Sequence, residues 1–183
     1  MGWKDLFKKK KSTGLSLTDL TLSNLGPGYY LDYDMKTWCV EACHMYDWGE
    51  GDRTYEWQLV SHDDTLYLER EPDDEDHWSV SRKVPFGKLG EDLKSQIMER
   101  GDPPNEIIYE GTAYYLEGSG GGQFYKDGKG DGRDLLTWDY VDESGKQYLT
   151  IEQWGEADFE AALGYPVAEY QFDNILPAGE ADD

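Results

Sequence analysis

The chain has 183 residues, room for one ordinary domain or two small ones. Hydrophobic residues make up only 38%, but 14% are aromatic, and seven Trp and fourteen Tyr bury enough area each to support a folded core. The net charge is −22: Lys4, Lys8, Lys9, Lys10 and Lys11 against Asp5 make residues 1–11 net +4, so the remaining 172 residues carry −26. A body so charged repels phosphate backbones and anionic lipid heads, which argues against nucleic acid as a partner.

Residues 1–14 read as a basic amphipathic tail or short helix. On a helix, Trp3, Leu6 and Phe7 share one face with Lys4 and Lys8 alongside, and Lys9, Lys10 and Lys11 come next. Each lysine near an anionic surface contributes about 1 kcal/mol. The segment is therefore the candidate contact for a partner or, weakly, for a membrane; the plain alternative is a disordered basic tail. No apolar run of seven succeeds the basic start, and no stretch is long enough to span a bilayer. The reading is a cytoplasmic protein, peripheral at the inner membrane at most.

Residues 15–86 are expected to form a first β unit. Short strands are predicted at 29–34, 37–45, 54–61, 65–71 and 77–84, separated by turn-formers such as His62-Asp63-Asp64 and Pro72-Asp73-Asp74-Glu75-Asp76. Cys39 and Cys43 on one strand would share a face about 13 Å apart, too far for a disulfide without a bend. With His44 turned to the other face, they make a poor zinc set, and free thiols are the expectation.

Residues 87–102 form a predicted linking helix. Leu89, Leu93 and Ile97 recur at i, i+4 and i+8, and Gly101 with Pro103-Pro104 ends the pattern. A second β unit is expected over 103–177, with strands at 106–110, 112–117, 122–126, 134–142, 146–154, 157–163 and 166–172. Gly118–Gly122 is expected to be a flexible hairpin loop, since it lacks a P-loop ending and a helix pattern after it. Residues 178–183 are an acidic tail.

The two units read as diverged copies. A shift of 81 places Trp57 on Trp138, Val60 on Val141, Tyr67 on Tyr148, Glu71 on Glu152, Glu75 on Glu156 and Pro85 on Pro166. A shift of 76 places Tyr33 on Tyr109 and Glu41 on Glu117. The predicted fold is mainly β: two tandem, pseudo-symmetric antiparallel units joined by one short amphipathic helix.

The repeat defines the candidate site. Tyr67, Glu71 and Glu75, with Tyr148, Glu152 and Glu156, form a candidate acidic and aromatic ligand surface, and period two puts Tyr67 and Glu71 on one strand face. Paired carboxylates also suit glycoside hydrolysis if they converge. The plain alternative is a solvated face. The acidic turns at 73–76 and 127–132 match no calcium-loop order, so no metal is expected. Histidines 44, 62 and 77 have no counterparts in the second unit, and no catalytic residue, cofactor or nucleophilic constellation is assigned.

Several strings carry a resemblance: Tyr55-Glu56-Trp57-Gln58-Leu59, Leu66-Tyr67-Leu68-Glu69-Arg70-Glu71, His77-Trp78-Ser79, Ile151-Glu152-Gln153-Trp154-Gly155-Glu156 and Tyr170-Gln171-Phe172-Asp173-Asn174-Ile175-Leu176-Pro177. From about Leu20 to Pro177 the chain resembles a family of bacterial domains of unknown function, number 4178. The resemblance implies genes placed beside phage-shock-protein-A-like, ESCRT-III-like membrane-remodelling proteins, small membrane proteins and spermidine-synthase-like enzymes. It thus implies an accessory component of a membrane-stress system.

Three functions are expected. The first is a non-enzymatic binding or scaffold module with a phage-shock-protein-A-like partner. The second is a binder of small cations or polyamines, using carboxylates beside aromatic faces. The third is a carboxylate-based hydrolase. Oligomeric state is not legible.

Overall fold

The structure, a computed structural model, describes residues 19–179. The basic segment from Trp3 to Lys11 lies outside the described residues, as does most of the acidic tail. Eleven strands and one α-helix lie among the described residues: β1 (Tyr30–Tyr33), β2 (Lys36–Gly49), β3 (Asp52–Ser61), β4 (Asp64–Pro72), β5 (Asp76–Val84), α1 (Leu93–Arg100), β6 (Glu106–Tyr109), β7 (Thr112–Tyr125), β8 (Arg133–Asp142), β9 (Tyr148–Trp154), β10 (Asp158–Val167) and β11 (Asp173–Leu176).

All strand pairings are antiparallel, in the order β11-β1-β2-β3-β4-β5-β10-β9-β8-β7-β6, and β2 pairs again with β7. That last pairing closes an eight-stranded barrel, β2-β3-β4-β5-β10-β9-β8-β7, and closure removes the edges an open sheet would expose. Two side-by-side units do not describe this arrangement. The halves share one sheet through β5–β10 and β2–β7. Turn signals mark strand ends, but nothing local in the sequence says which distant strand pairs with which.

Both long strands divide their length. The first part of β2 pairs with β1 and its last part with β7; the first part of β7 pairs with β6. The pairings of β2 with β3 and of β7 with β8 each slip by one residue, at Glu41 and at Glu117. The slip at Glu41 corrects the expectation for the cysteines. Trp38, Val40 and Cys43 all pack in one apolar cluster, so Cys39 faces the other way. Both thiols are free.

Gly118–Gly122 is not a loop. It lies inside the single 14-residue β7, paired with Leu135 to Asp139. A Cβ on Gly122 would stand 2.5 Å from the Trp48 ring and 2.9 Å from the Asp47 carbonyl oxygen. The missing side chain is what lets β2 and β7 close on each other. The predicted strands at 157–163 and 166–172 likewise merge, into β10 and a succeeding 3-10 turn at Glu169–Gln171.

The apolar layers lie outside the barrel. On β3 and β4, Trp57, Leu59, Leu66 and Leu68 point outward beneath Leu22, Leu25, Leu31 and Phe172. On β8 and β9, Trp138, Tyr140, Leu149 and Ile151 point outward beneath Leu89, Leu93, Ile97, Ile107 and Tyr109. The predicted helical stripe is therefore buried on the second half of the barrel. The α-helix itself is shorter than expected, with Phe86–Leu89 a separate 3-10 turn. Gly101, at φ 84°, ends it by donating its N–H to the Ile97 carbonyl at 2.8 Å.

Each coat is fastened by a tryptophan. The Trp57 indole donates to the Leu25 carbonyl at 3.0 Å, and the Trp138 indole to the Asp102 carboxylate at 3.0 Å. Each fully buried Leu in such a layer contributes about 2 kcal/mol. No helix among the described residues is long and apolar enough to cross a membrane.

Candidate functional site: an acidic barrel lumen

Strand alternation that sends Trp57 and Leu68 outward sends their neighbours inward. The lumen is a cavity of about 990 Å³ lined from every barrel strand. Its inner surface is about half polar, unlike a packed barrel core. At its centre stand Glu56 from β3, Glu69 from β4 and Glu152 from β9, with Lys83 from β5 and Glu160 from β10 beside them. Glu56 and Glu69 are direct cross-strand partners, as are Glu152 and Glu160. Like charges placed opposite one another are unfavourable, and these four carboxylates share one lysine, Lys83.

Lys83 is engaged already. It donates to Glu160 and lies over the Tyr67 ring, 5.4 Å from its centroid. Burial opposes its charge, but Glu160 outweighs burial and holds the ammonium above its ordinary pKa. Glu56 is only 7% exposed. One of its oxygens accepts the Tyr46 hydroxyl at 3.2 Å.

Burial, then the charge of Glu152, pushes the Glu56 carboxyl up to about 8. Burial likewise pushes Glu152 up to about 7, with Lys83 opposing. Glu69, walled by protein yet facing the open lumen, is raised well above the carboxylate range by burial and then by Glu56 and Glu152. Glu71 and Asp139 extend the acidic lining; both side chains are exposed, and partial loss of hydration against the barrel wall raises both.

An aromatic group fills the β2–β7 side of the lumen. Tyr46 stacks on Trp48 with centroids 5.5 Å apart, and Phe124 meets Trp154 edge-on at 5.4 Å. His44 also faces inward; its Nδ1 accepts the Asp127 backbone N–H at 3.1 Å, which places the ring proton on Nε2. Burial lowers its pKa.

The residues singled out from the sequence divide. Tyr67, Glu71, Tyr148 and Glu152 all line the lumen. Glu75 and Glu156 do not; they are exposed in the β4–β5 and β9–β10 turns, which lie at opposite rims of the barrel. The register also moves one correspondence. Trp57 pairs with Leu68 and Trp138 with Ile151, so Glu152 occupies the place of Glu69 rather than of Glu71. The hairpin loop after β8 is longer than that after β3, which shifts β9 by two residues.

Sequence reasoning missed Glu56, Glu69, Glu160, Lys83 and Tyr46. Their signal was period two: Glu56 lies beside outward Trp57, Glu69 beside Leu68 and Lys83 beside Val84. Which of the two faces was enclosed could not be read from one strand. Among the described residues no group of three or more His, Cys, Asp or Glu is placed to hold a metal ion.

Fold and site together define an antiparallel eight-stranded barrel with its apolar layers outside and an acidic, aromatic cavity within. The chain belongs to the family described as Domain of unknown function (DUF4178), which it matches over residues 26–169. It is similar to an uncharacterized protein of Aquifex aeolicus (strain VF5), 26% identical over 175 residues, covering 95% of this chain and 96% of that one. No solved structure matches.

Proposed function

We propose that the barrel is a binding protein for a small organic cation, held in the lumen by Glu56, Glu69 and Glu152. The observation that carries this reading is the convergence of three carboxylates, from three strands, in a cavity whose one central ammonium, Lys83, is taken by Glu160. Clustered carboxylates in a low-dielectric enclosure attract an ammonium group far more strongly than exposed ones do. The Tyr46, Trp48 and Tyr67 rings offer faces for cation–π contact. A cavity of this size suits a small molecule rather than a bare ion.

Calorimetric titration with methylammonium, spermidine and Mg²⁺ tests the reading. Spermidine is expected to bind at least tenfold more tightly than methylammonium, and Glu69→Gln to weaken it about tenfold or more. Equal weak heats from all three, unchanged in the variant, would leave only charge screening and sink it.

The family resemblance and the body charge of −26 support a second reading, an accessory role beside a basic protein partner such as a phage-shock-protein-A-like coat. Association that weakens steeply with salt is the expected outcome. A complex indifferent to salt would end that reading.

We further infer that the barrel arose by duplication of a five-stranded unit, β1–β5 and β6–β10. Supporting this are the equal lengths of β1 and β6, β2 and β7, and β3 and β8, and the matching slips at Glu41 and Glu117. Glu69 and Glu152 are then mates across a two-fold axis, which accounts for their meeting in the lumen.

A further inference from the structure

We propose that the lumen exchanges protons for its cation: empty, its carboxylates share protons, and cation entry expels them. This rests on the binding reading above and adds how the site is regulated. The argument is geometric first. Glu56, Glu69 and Glu152 project from β3, β4 and β9 into one enclosed space, so each ionised carboxylate raises the cost of ionising the next. A ligand cation, or protons, relieves that cost.

The other charged groups around them supply only part of the relief. From β5, Lys83 is bound to Glu160 of β10 and favours the charged forms of Glu56 and Glu152 without cancelling the effect of burial. From β2, Tyr46 gives its hydroxyl proton to Glu56 as a hydrogen bond, and His44 faces in with its Nδ1 already accepting from Asp127. From β4, Tyr67 and Glu71 add no positive charge, nor do Tyr148 of β9 and Asp139 of β8. At the ends, Asp52, Asp76, His77 and Glu117 line one rim. Arg133, at the other rim, is paired with Asp158 at 3.3 Å and lies over the Trp154 ring.

A second observation points to an occupant. The Trp154 indole N–H, on a residue 6% exposed that lines the cavity, has no hydrogen-bond partner among the described residues. A buried donor left unpaired is costly and calls for an acceptor in the cavity, which an ionised carboxylate or an occupant supplies. The directions of the pKa shifts agree, with burial and mutual repulsion raising Glu56, Glu69 and Glu152 together. Burial lowers His44, so the protons available near neutrality are carboxyl protons.

The test is calorimetry of the full chain with spermidine at pH 7, repeated in buffers of different ionisation enthalpy. Spermidine arrives charged at this pH, so released protons come from the protein. About one proton released per ligand is expected, and an affinity rising about tenfold per pH unit around pH 7. Glu56→Gln should bind spermidine while releasing fewer protons; Glu152→Gln serves the same purpose if the first variant does not fold. Binding with no proton release and no pH dependence overturns the exchange but leaves the cation reading standing. Absence of binding at every pH overturns both.

Discussion

Inside the barrel the Tyr46 hydroxyl donates its one proton to Glu56 at 3.2 Å. Tyr46 thus stabilises the charged form of Glu56 against its burial. Tyr46→Phe is expected to raise the Glu56 titration midpoint above that of the native protein. Carbon-detected NMR of the glutamate carboxyls reads this directly, and an unmoved midpoint would show that the bond has no effect. A loss of about 1 kcal/mol in stability should accompany it.

The raised carboxyls also set how stability depends on pH. Glu56 and Glu152 are held at about 8 and about 7 in the folded chain, against an ordinary 4.5. Between those values the folded state binds more protons than the unfolded one. Their contribution is therefore full below about pH 4.5 and lost as pH rises through about 7 to 8. Melts without ligand should show stability from these groups falling between pH 5 and pH 9. Glu56→Gln should flatten the slope and leave the variant roughly 1–3 kcal/mol more stable than the native chain at pH 9. A slope of the opposite sign would mean that the lumen acids are not raised.

Closure at the β2–β7 seam depends on Gly122. Gly122→Ala would drive a Cβ into Trp48 and the Asp47 carbonyl, and is expected to cost about 1–3 kcal/mol in denaturant melts. Gly120→Ala, where nothing lies within 4 Å, should be neutral or slightly stabilising. Equal effects of the two would remove the steric account.

The β1–β2 hairpin turns on Asp34 and Met35, at φ 50° and 59°, while β6–β7 turns on Glu110 and Gly111, at φ 48° and 83°. A two-residue turn with both φ positive favours glycine second. Met35 is fully exposed, so no packing explains its place there. Met35→Gly is expected to stabilise by about 0.5 kcal/mol, and Gly111→Ala to destabilise by about 1 kcal/mol. Thermal denaturation of the two variants checks both signs.

Much of the strand content was legible, because alternation and turn chemistry are local. The helical stripe of Leu89, Leu93 and Ile97 was legible for the same reason. The merging of residues 112–126 into one strand was not. Five residues rich in glycine read as a loop, whereas here they pair with β8 and make room for Trp48. The Glu71–Glu152 alignment was misplaced by two residues because an ungapped comparison cannot see a longer hairpin. Tyr67, Glu71, Tyr148 and Glu152 stand out from the repeat, while Glu56 and Glu69 do not. Closure of the sheet, a long-range property, is what turns those acids into a site.

Because the greasy faces of β3, β4, β8 and β9 look outward, the eight barrel strands alone would not make a workable minimal fragment. Trimming back the stretch that supplies Leu22 and Leu25, or cutting the chain just before Phe172, would strip the wrapping from Trp57 and Leu68. Such a fragment would clump in water even with every barrel hydrogen bond intact.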